Sequence, residues 1–405
     1  VRGAPRAGGS VRLQARPPDP FHRPQAGNDQ PQETPMKSTL PFALTLLAAV
    51  SGTAQAQSNV TIWGILDVGA RYDTGATGRA TKSVGSGQSA ASRLTFSGAE
   101  DLGAGLKASF VLESGLSLDT GLGANNPPGA AAGSFTFGRT ALVALGSEAT
   151  GYVALGRQYT PLWGISAGPL NDPFGASWLG GINTVYSATV RTSNAIGYTY
   201  GYGDKTTLSP APRKGLGVSA VWSMSEVGDP SPSGSGEQMG LGISYGDGTW
   251  WGGYAYHRVR GSNTSINATA PVTNQPVLVQ QTLAASARFS WASLHLGLNT
   301  ASNGLSGTGA ISRRNWHVAT QIPLADSQTL RVLYGQAHDR ATTAASFKNL
   351  QIGYQYDLSK RTYLYTAFGQ VANDANVAAT PAAALGTFAK GSTPKSLIAG
   401  LAQRF

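Results

Sequence analysis

Leu350-Gln351-Ile352-Gly353-Tyr354-Gln355-Tyr356-Asp357-Leu358 alternates without a slip: leucine, isoleucine and tyrosine at the even positions, glutamine, glycine and aspartate between them. A side-chain period of two belongs to the β-strand, whose successive residues point to opposite faces. The same period runs through Val60, Ile62, Leu66, Val68, Ala70 and Tyr72, set against Thr61, Asp67 and Arg71. It returns in Leu94 and Phe96 against Arg93, Thr95 and Ser97, and in Ala108, Phe110 and Leu112. A sandwich would bury such apolar faces against each other, whereas a membrane barrel turns them to lipid and the polar faces to water.

Composition favours the barrel. The 405 residues include 53 glycines, 22 prolines and no cysteine, and only 12% are charged. A soluble protein carries about 25% charged residues, so much of this surface does not meet ordinary water. Without thiols, a disulfide scaffold, a zinc finger and a cysteine-dependent enzyme are all excluded. The longest apolar run, Leu40 to Val50, is interrupted by Pro41 and Thr45 and falls short of the roughly 20 residues of a spanning helix. In lipid every backbone N–H and C=O must be paired internally, which leaves a sheet closed on itself. The connections alternate as well. Glu100 to Ala104, Gly146 to Thr150, Gly246 to Gly248 and Asp357 to Lys360 are short, whereas Asp73 to Ser89, Leu118 to Ser134 and Asp374 to Lys395 are long. The reading is an all-β, 16-stranded antiparallel transmembrane β-barrel, with strands expected at 59–72, 91–99, 105–116, 136–145, 151–158, 189–201, 215–225, 237–246, 249–260, 278–290, 293–302, 313–322, 327–339, 346–357, 361–373 and 396–405.

The first 56 residues read differently. Residues 1–35 hold seven prolines and five arginines without apolar periodicity, a composition that cannot build a core. From Met36 the pattern is that of a secretory signal peptide: Lys37, the apolar Leu40 to Val50, then Ala54-Gln55-Ala56 before Gln57. The expectation is an over-extended or unstructured segment 1–35, a cleaved signal 36–56 and a barrel domain 57–405. Removing the six basic and three acidic residues before position 57 leaves a net charge of +7 on the barrel domain.

Several ordered stretches carry a family resemblance. Ser58-Asn59-Val60-Thr61-Ile62-Trp63-Gly64-Ile65-Leu66-Asp67, Ser92 to Gly103, Leu155-Gly156-Arg157-Gln158-Tyr159, Asp357-Leu358-Ser359-Lys360-Arg361-Thr362 and the terminal Phe405 resemble the general trimeric porins of Gram-negative bacteria, the betaproteobacterial branch above all. Gln403 departs from the histidine, tyrosine or apolar residue usual at its place. The resemblance implies an outer-membrane homotrimer, each barrel a water-filled channel for passive diffusion of ions and small hydrophilic solutes. It also implies an inward-folded third loop, here Tyr159 to Ala188 with Gly168-Pro169-Leu170-Asn171-Asp172-Pro173-Phe174-Gly175 at its core, that narrows the pore. Asp172 would then be the acidic edge of the constriction, facing wall arginines Arg93, Arg139 and Arg191, with Arg71 joining them. Such a row makes the channel anion-leaning. Arg157 shares parity with Val153 and Leu155 and is expected on the outward face, in a subunit contact with a neighbour's carboxylate.

Other patterns are read as incidental. Gly164-Ile165-Ser166-Ala167-Gly168 fits G-x-S-x-G but lies in a loop between Pro161 and Pro169, not between strand and helix. His257, His295, His317 and His338 fall one per strand, without the spacing of metal ligands, and are expected to fill the lumen. No catalytic, cofactor or metal residue is assigned. Dispersed charges without an aromatic platform exclude nucleic acid as a partner. Tyr245, Tyr254, Trp291, Tyr363, Tyr365 and Phe405 are placed at strand ends or on the lipid face. Two other classes remain: a solute-specific channel, separated by saturable single-solute flux, and a soluble secreted adhesin or enzyme, separated by recovery without detergent.

Overall fold

The computed structural model describes residues 59–77, 79–127, 130–168, 170–175, 177–202, 214–224, 236–260, 277–307, 309–381 and 386–405. The expected leader segments 1–35 and 36–56 lie outside these residues. The chain runs through β1 (Asn59–Thr74), β2 (Thr81–Ser86), β3 (Arg93–Gly103), β4 (Leu106–Ser117), β5 (Leu122–Ala124), β6 (Thr140–Ser147) and β7 (Gly151–Tyr159). A helix α1 (Pro161–Ser166) and a 3-10 segment (Trp178–Thr184) follow. The remaining strands are β8 (Arg191–Tyr200), β9 (Lys214–Ser223), β10 (Gln238–Asp247), β11 (Trp250–Arg260), β12 (Val277–Arg288), β13 (Ser293–Ser302), β14 (Ser312–Ala325), β15 (Gln328–Asp339), β16 (Phe347–Asp357), β17 (Thr362–Asn373) and β18 (Lys395–Arg404).

Sixteen long strands pair antiparallel with their neighbours, and β1 pairs with β18 from Ile65↔Arg404 to Thr74↔Lys395, which closes the barrel. Closure leaves no unpaired edge, as lipid requires. β2 and β5 are additions to this frame. β1 pairs with β3 only up to Ile65, and from Val68 upward its partner is β2. The second wall strand is thus broken, and residues 87–92 step off it. β5 is a short rung on the top of β4.

The two faces separate as the alternation dictates. In β13, Leu294, Leu296 and Leu298 are 41%, 55% and 56% exposed, while His295 and Asn299 on the other face are 2% and 1% exposed. Tyr245, Tyr254, Trp291 and Phe405 are exposed, as the lipid-facing reading expects. Tyr363 and Tyr365 are not: both point into the barrel, where Tyr363 meets Ser89 Oγ at 3.0 Å and Tyr365 donates to Asp67 at 2.8 Å. Their outward neighbours on β17 are Leu364, Thr366 and Phe368.

The segment between β7 and β8 supplies the helical structure. Thr160 caps α1 by accepting from Trp163 N at 3.1 Å, and Pro161 occupies the first turn, where its missing N–H costs nothing. Leu162 and Ile165 are fully buried against Trp251, Ala255 and Ala284 of the barrel's inner wall. Further on, Phe174, Leu179, Ile182 and Val185 pack on Leu333, Ala367 and Ile398. The loop therefore lines the inside of the wall formed by β9–β18 and adds two short helical turns to the all-β barrel.

Candidate pore constriction

Polar residues on the inner wall hold the loop where it lies. His317 donates from Nε2 to Asn171 O at 3.0 Å, so its Nδ1 accepts from the Tyr186 hydroxyl at 2.8 Å. His295 donates from Nδ1 to Leu170 O at 3.0 Å. Asn299 bonds both Ser187 N and Ser187 O, and the Gln351 amide donates to Leu179 O at 3.0 Å. His257, His295 and His317 are polar filling of the lumen, as expected, and the last two also fasten the loop; His338 departs from the expectation, being exposed on the outward parity of β15 with Tyr334, where it meets Ser346 Oγ at 3.0 Å. Among the described residues no group of histidine, aspartate or glutamate has the arrangement of a metal site. Ser166, the serine of the G-x-S-x-G match, shares a hydroxyl contact of 2.7 Å with Thr282. Gly297 makes room for the His317–Tyr186 pair, since a Cβ there would collide with the Tyr186 hydroxyl and the imidazole. Gly297→Ala is therefore expected to displace the loop and raise single-channel conductance, with the barrel's heat-modifiable mobility in gels retained.

What the loop leaves open is a cavity of about 410 Å³ against the opposite wall. The wall side carries Arg93, Glu113, Arg139 and Arg191; the loop side carries Trp163, Ser177 and Asn183. Arg139 Nε donates to Glu113 Oε1 at 2.5 Å, and its other arm reaches the Tyr159 hydroxyl at 2.8 Å. Arg191 donates to the same hydroxyl at 2.7 Å and lies 4.4 Å from the ring centroid. Arg93 Nε sits 3.6 Å from Glu113 Oε2, and its Nη1 donates to Ala91 O at 3.0 Å. Thr95 Oγ1 donates to Glu113 Oε2 at 3.2 Å. One carboxylate and one phenol thus order three guanidiniums, and the loop opposite them presents neutral groups.

A sixteen-stranded barrel with an infolded loop and an arginine-lined opening has counterparts among known proteins. The pattern of the Gram-negative porin family matches residues 43–376. The chain belongs to the Gram-negative porin family. The outer membrane porin protein 32 of Delftia acidovorans is 27% identical over 349 residues, covering 82% of this chain and 88% of that protein. An outer membrane porin protein of Bordetella pertussis is 27% identical over 390 residues, covering 84% of this chain and 95% of that protein. The anion-selective porin from Comamonas acidovorans superposes with a TM-score of 0.70 at 23% identity, over 86% of this chain and 100% of that one.

The porin is an outer-membrane channel, and its structure brings together three of the five residues expected at the constriction. Arg93, Arg139 and Arg191 converge; Arg71 and Asp172 lie elsewhere. Arg71 is 4% exposed, ion-paired to Asp73 at 2.8 Å and donating to Ser396 Oγ at 3.0 Å. Asp172 is fully buried within the loop, where its carboxylate accepts from Phe174 N at 2.9 Å and Ile182 N at 3.2 Å. Carboxylates are strong acceptors for turn N–H groups, and here that demand turns the only acidic side chain of the loop inward. The acidic member of the site is Glu113 instead, on the wall. The sequence held a signal for it: Glu113 shares the inward parity of β4 with Val111 and Ser109, one strand from Arg93.

Arg157 lies on the outward parity of β7, opposite Ala141 of β6. It donates to Gly138 O at 2.7 Å and to Ser193 Oγ at 2.8 Å within its own chain. The same outward row holds Phe96 and Leu112, which are register partners, with Phe137 edge-on to Phe96 at 6.2 Å.

Proposed function

We propose that this porin is a general diffusion pore that favours small hydrophilic anions. The observation that carries the proposal is the charge around the opening: three arginines against Glu113, with Asp172 withdrawn into the loop. In a narrow aqueous path, fixed charge of one sign concentrates counter-ions and excludes co-ions. The similar fold of a porin described as anion-selective supports the same reading. Reversal potential in a potassium chloride gradient tests it: anions are expected to dominate, and a cation-signed potential refutes it.

We further propose a homotrimer assembled through the thin wall of β3–β7. Outward Val143, Leu145, Val153 and Leu155 are 46–58% exposed beside the Phe96–Phe137 pair, and Arg157 sits in that apolar row as a subunit contact. Its guanidinium would gain a neighbour's carboxylate there in addition to its present partners. Protein extracted in mild detergent is expected to have three times the chain mass and to dissociate on heating; a monomeric mass refutes the assembly. Export is proposed to remove residues up to Ala56, so that the N-terminal sequence of the membrane protein begins near Gln57.

A further inference from the structure

Of the three guanidiniums at the opening, Arg93 is held differently from the other two. Arg139 is fixed by Glu113 and the Tyr159 hydroxyl, and Arg191 by the same hydroxyl. The 3.6 Å from Arg93 to Glu113 is too long for a hydrogen bond. What takes its Nη1 is the backbone carbonyl of Ala91, at 3.0 Å. Ala91 and Arg93 both border the cavity, and the Arg93 side chain is 28% exposed against 9% for Arg139. In a regular ladder a carbonyl turns to the neighbouring strand. Ala91 is released from that duty because β1 pairs with β2 down to Val68↔Ser86 and with β3 only from Ile65↔Arg93. Residues 87–92 therefore stand opposite Leu66 and Asp67 alone.

Asp67 organises this surplus of chain. Its carboxylate accepts from Gln88 N at 2.7 Å, from Ser89 N and Ala90 N at 3.1 Å each, and from the Ser89 hydroxyl. Successive N–H groups converging on one anion form a nest, which fixes the path of the backbone that supplies them. The main chain of Asp67 ties down both ends of the same segment. Asp67 O accepts from Gly87 N at 2.9 Å, and Ser92 Oγ accepts from Asp67 N and donates to Asp67 O, both at 3.0 Å. Asp67 is itself fully buried, so it meets no passing ion.

We infer that Asp67 is a positioning residue for permeation: by folding residues 87–92 around its carboxylate it aims the Ala91 carbonyl at Arg93 and keeps that guanidinium at the opening. This rests on the anion-favouring reading above. Without the nest the carbonyl turns away, the long side chain regains its rotamer freedom, and its charge spends less time beside the narrow path.

A double-mutant cycle read by reversal potential and conductance in a potassium chloride gradient tests this. In the wild type, Arg93→Gln is expected to lower anion passage and raise cation passage roughly fourfold each, as for a unit charge about 5 Å from an ion in bulk water. In Asp67→Asn the same replacement is expected to change each by at most about twofold, because Arg93 has already left its place. The direct effect of the lost Asp67 charge is common to both arms and cancels in the cycle. Ser92→Ala loosens the same segment without altering any charge. It should shrink the Arg93 effect in the same way, and it decides the matter where Asp67→Asn does not assemble. Tyr365→Phe removes the seam contact of the same carboxylate, 2.8 Å long, and spares the nest; there the Arg93 effect should keep its full size. A full-sized Arg93 effect in Asp67→Asn, or in Ser92→Ala where Asp67→Asn does not assemble, overturns the inference and leaves the anion-favouring reading standing. Equal shrinkage in Tyr365→Phe also overturns it, since Asp67 would then act as a strut of the seam. A wild-type channel that favours cations overturns the anion-favouring reading and the inference together.

Discussion

Replacing Arg93 and Arg139 together by glutamine is expected to bring the anion-to-cation permeability ratio close to one. The opening then holds Arg191 against Glu113 and is neutral. A unit charge about 5 Å from a passing ion is worth ~0.8 kcal/mol even in bulk water, so two removed charges change the permeation of each ion roughly tenfold, downward for anions and upward for cations. Conductance should rise as well, since two long side chains are shortened at the narrowest part. The double variant leaves Glu113 with Thr95 as its near partner, and a buried carboxylate without its cations is destabilising. The triple variant that adds Glu113→Gln separates the two effects. It restores one net positive charge, so its reversal potential should fall between the wild type and the double variant, with folded yield recovered. A double variant whose selectivity matches the wild type at low salt would show that the arginines do not set permeation.

The second large effect is expected at Asp172. Its carboxylate satisfies Phe174 N and Ile182 N inside the loop, so Asp172→Ala leaves two buried donors without an acceptor, at a cost of about 3 kcal/mol to the loop's local order. Single-channel recordings should show higher mean conductance and frequent substates, with the sign of the reversal potential unchanged. An acidic residue on the pore wall would behave oppositely: its removal would strengthen anion preference at constant conductance. Asp172→Asn, which keeps one acceptor oxygen, should give a milder version of the same noise. Recordings of Asp172→Ala that are as quiet as the wild type would mean that the wall histidines alone fix the loop.

Most of the wall was legible because period-2 alternation is strong wherever one face meets lipid and the other water. All sixteen long strands were expected, and the errors fall where that contrast fades. β2 offers only Lys82-Ser83-Val84 with a readable alternation, inside a stretch rich in glycine and serine. β17 carries apolar or aromatic residues on both faces, so Tyr363 and Tyr365 could be assigned to either. The helix at Pro161 announced itself through Thr160-Pro161, a cap followed by a first-turn proline, yet it is too short to show a period of 3.6. Of the site, the arginines were legible because charge on a lipid-facing wall is costly, about 2–4 kcal/mol at mid-membrane, which left the lumen as their place. The inward turn of Asp172 was not, since it depends on loop N–H groups whose directions no local pattern records.

Asp67 gives the barrel an order of events in time. Its carboxylate accepts from Gln88 N at 2.7 Å, from Ser89 N and Ala90 N at 3.1 Å each, and from the Tyr365 hydroxyl at 2.8 Å. The first three partners lie within 23 residues of it and the last is 298 residues away. Closing so long a span is slow, because the chain must surrender its freedom before the contact returns anything. The step in the second wall strand can therefore form as soon as the N-terminal hairpin exists, with Asp67 already desolvated and one acceptor position still vacant. Arrival of β17 fills it, and the same arrival brings β18 against β1. A barrel without its last two strands would lack the Tyr365 hydroxyl at this carboxylate, whereas the finished one is latched at its seam from within.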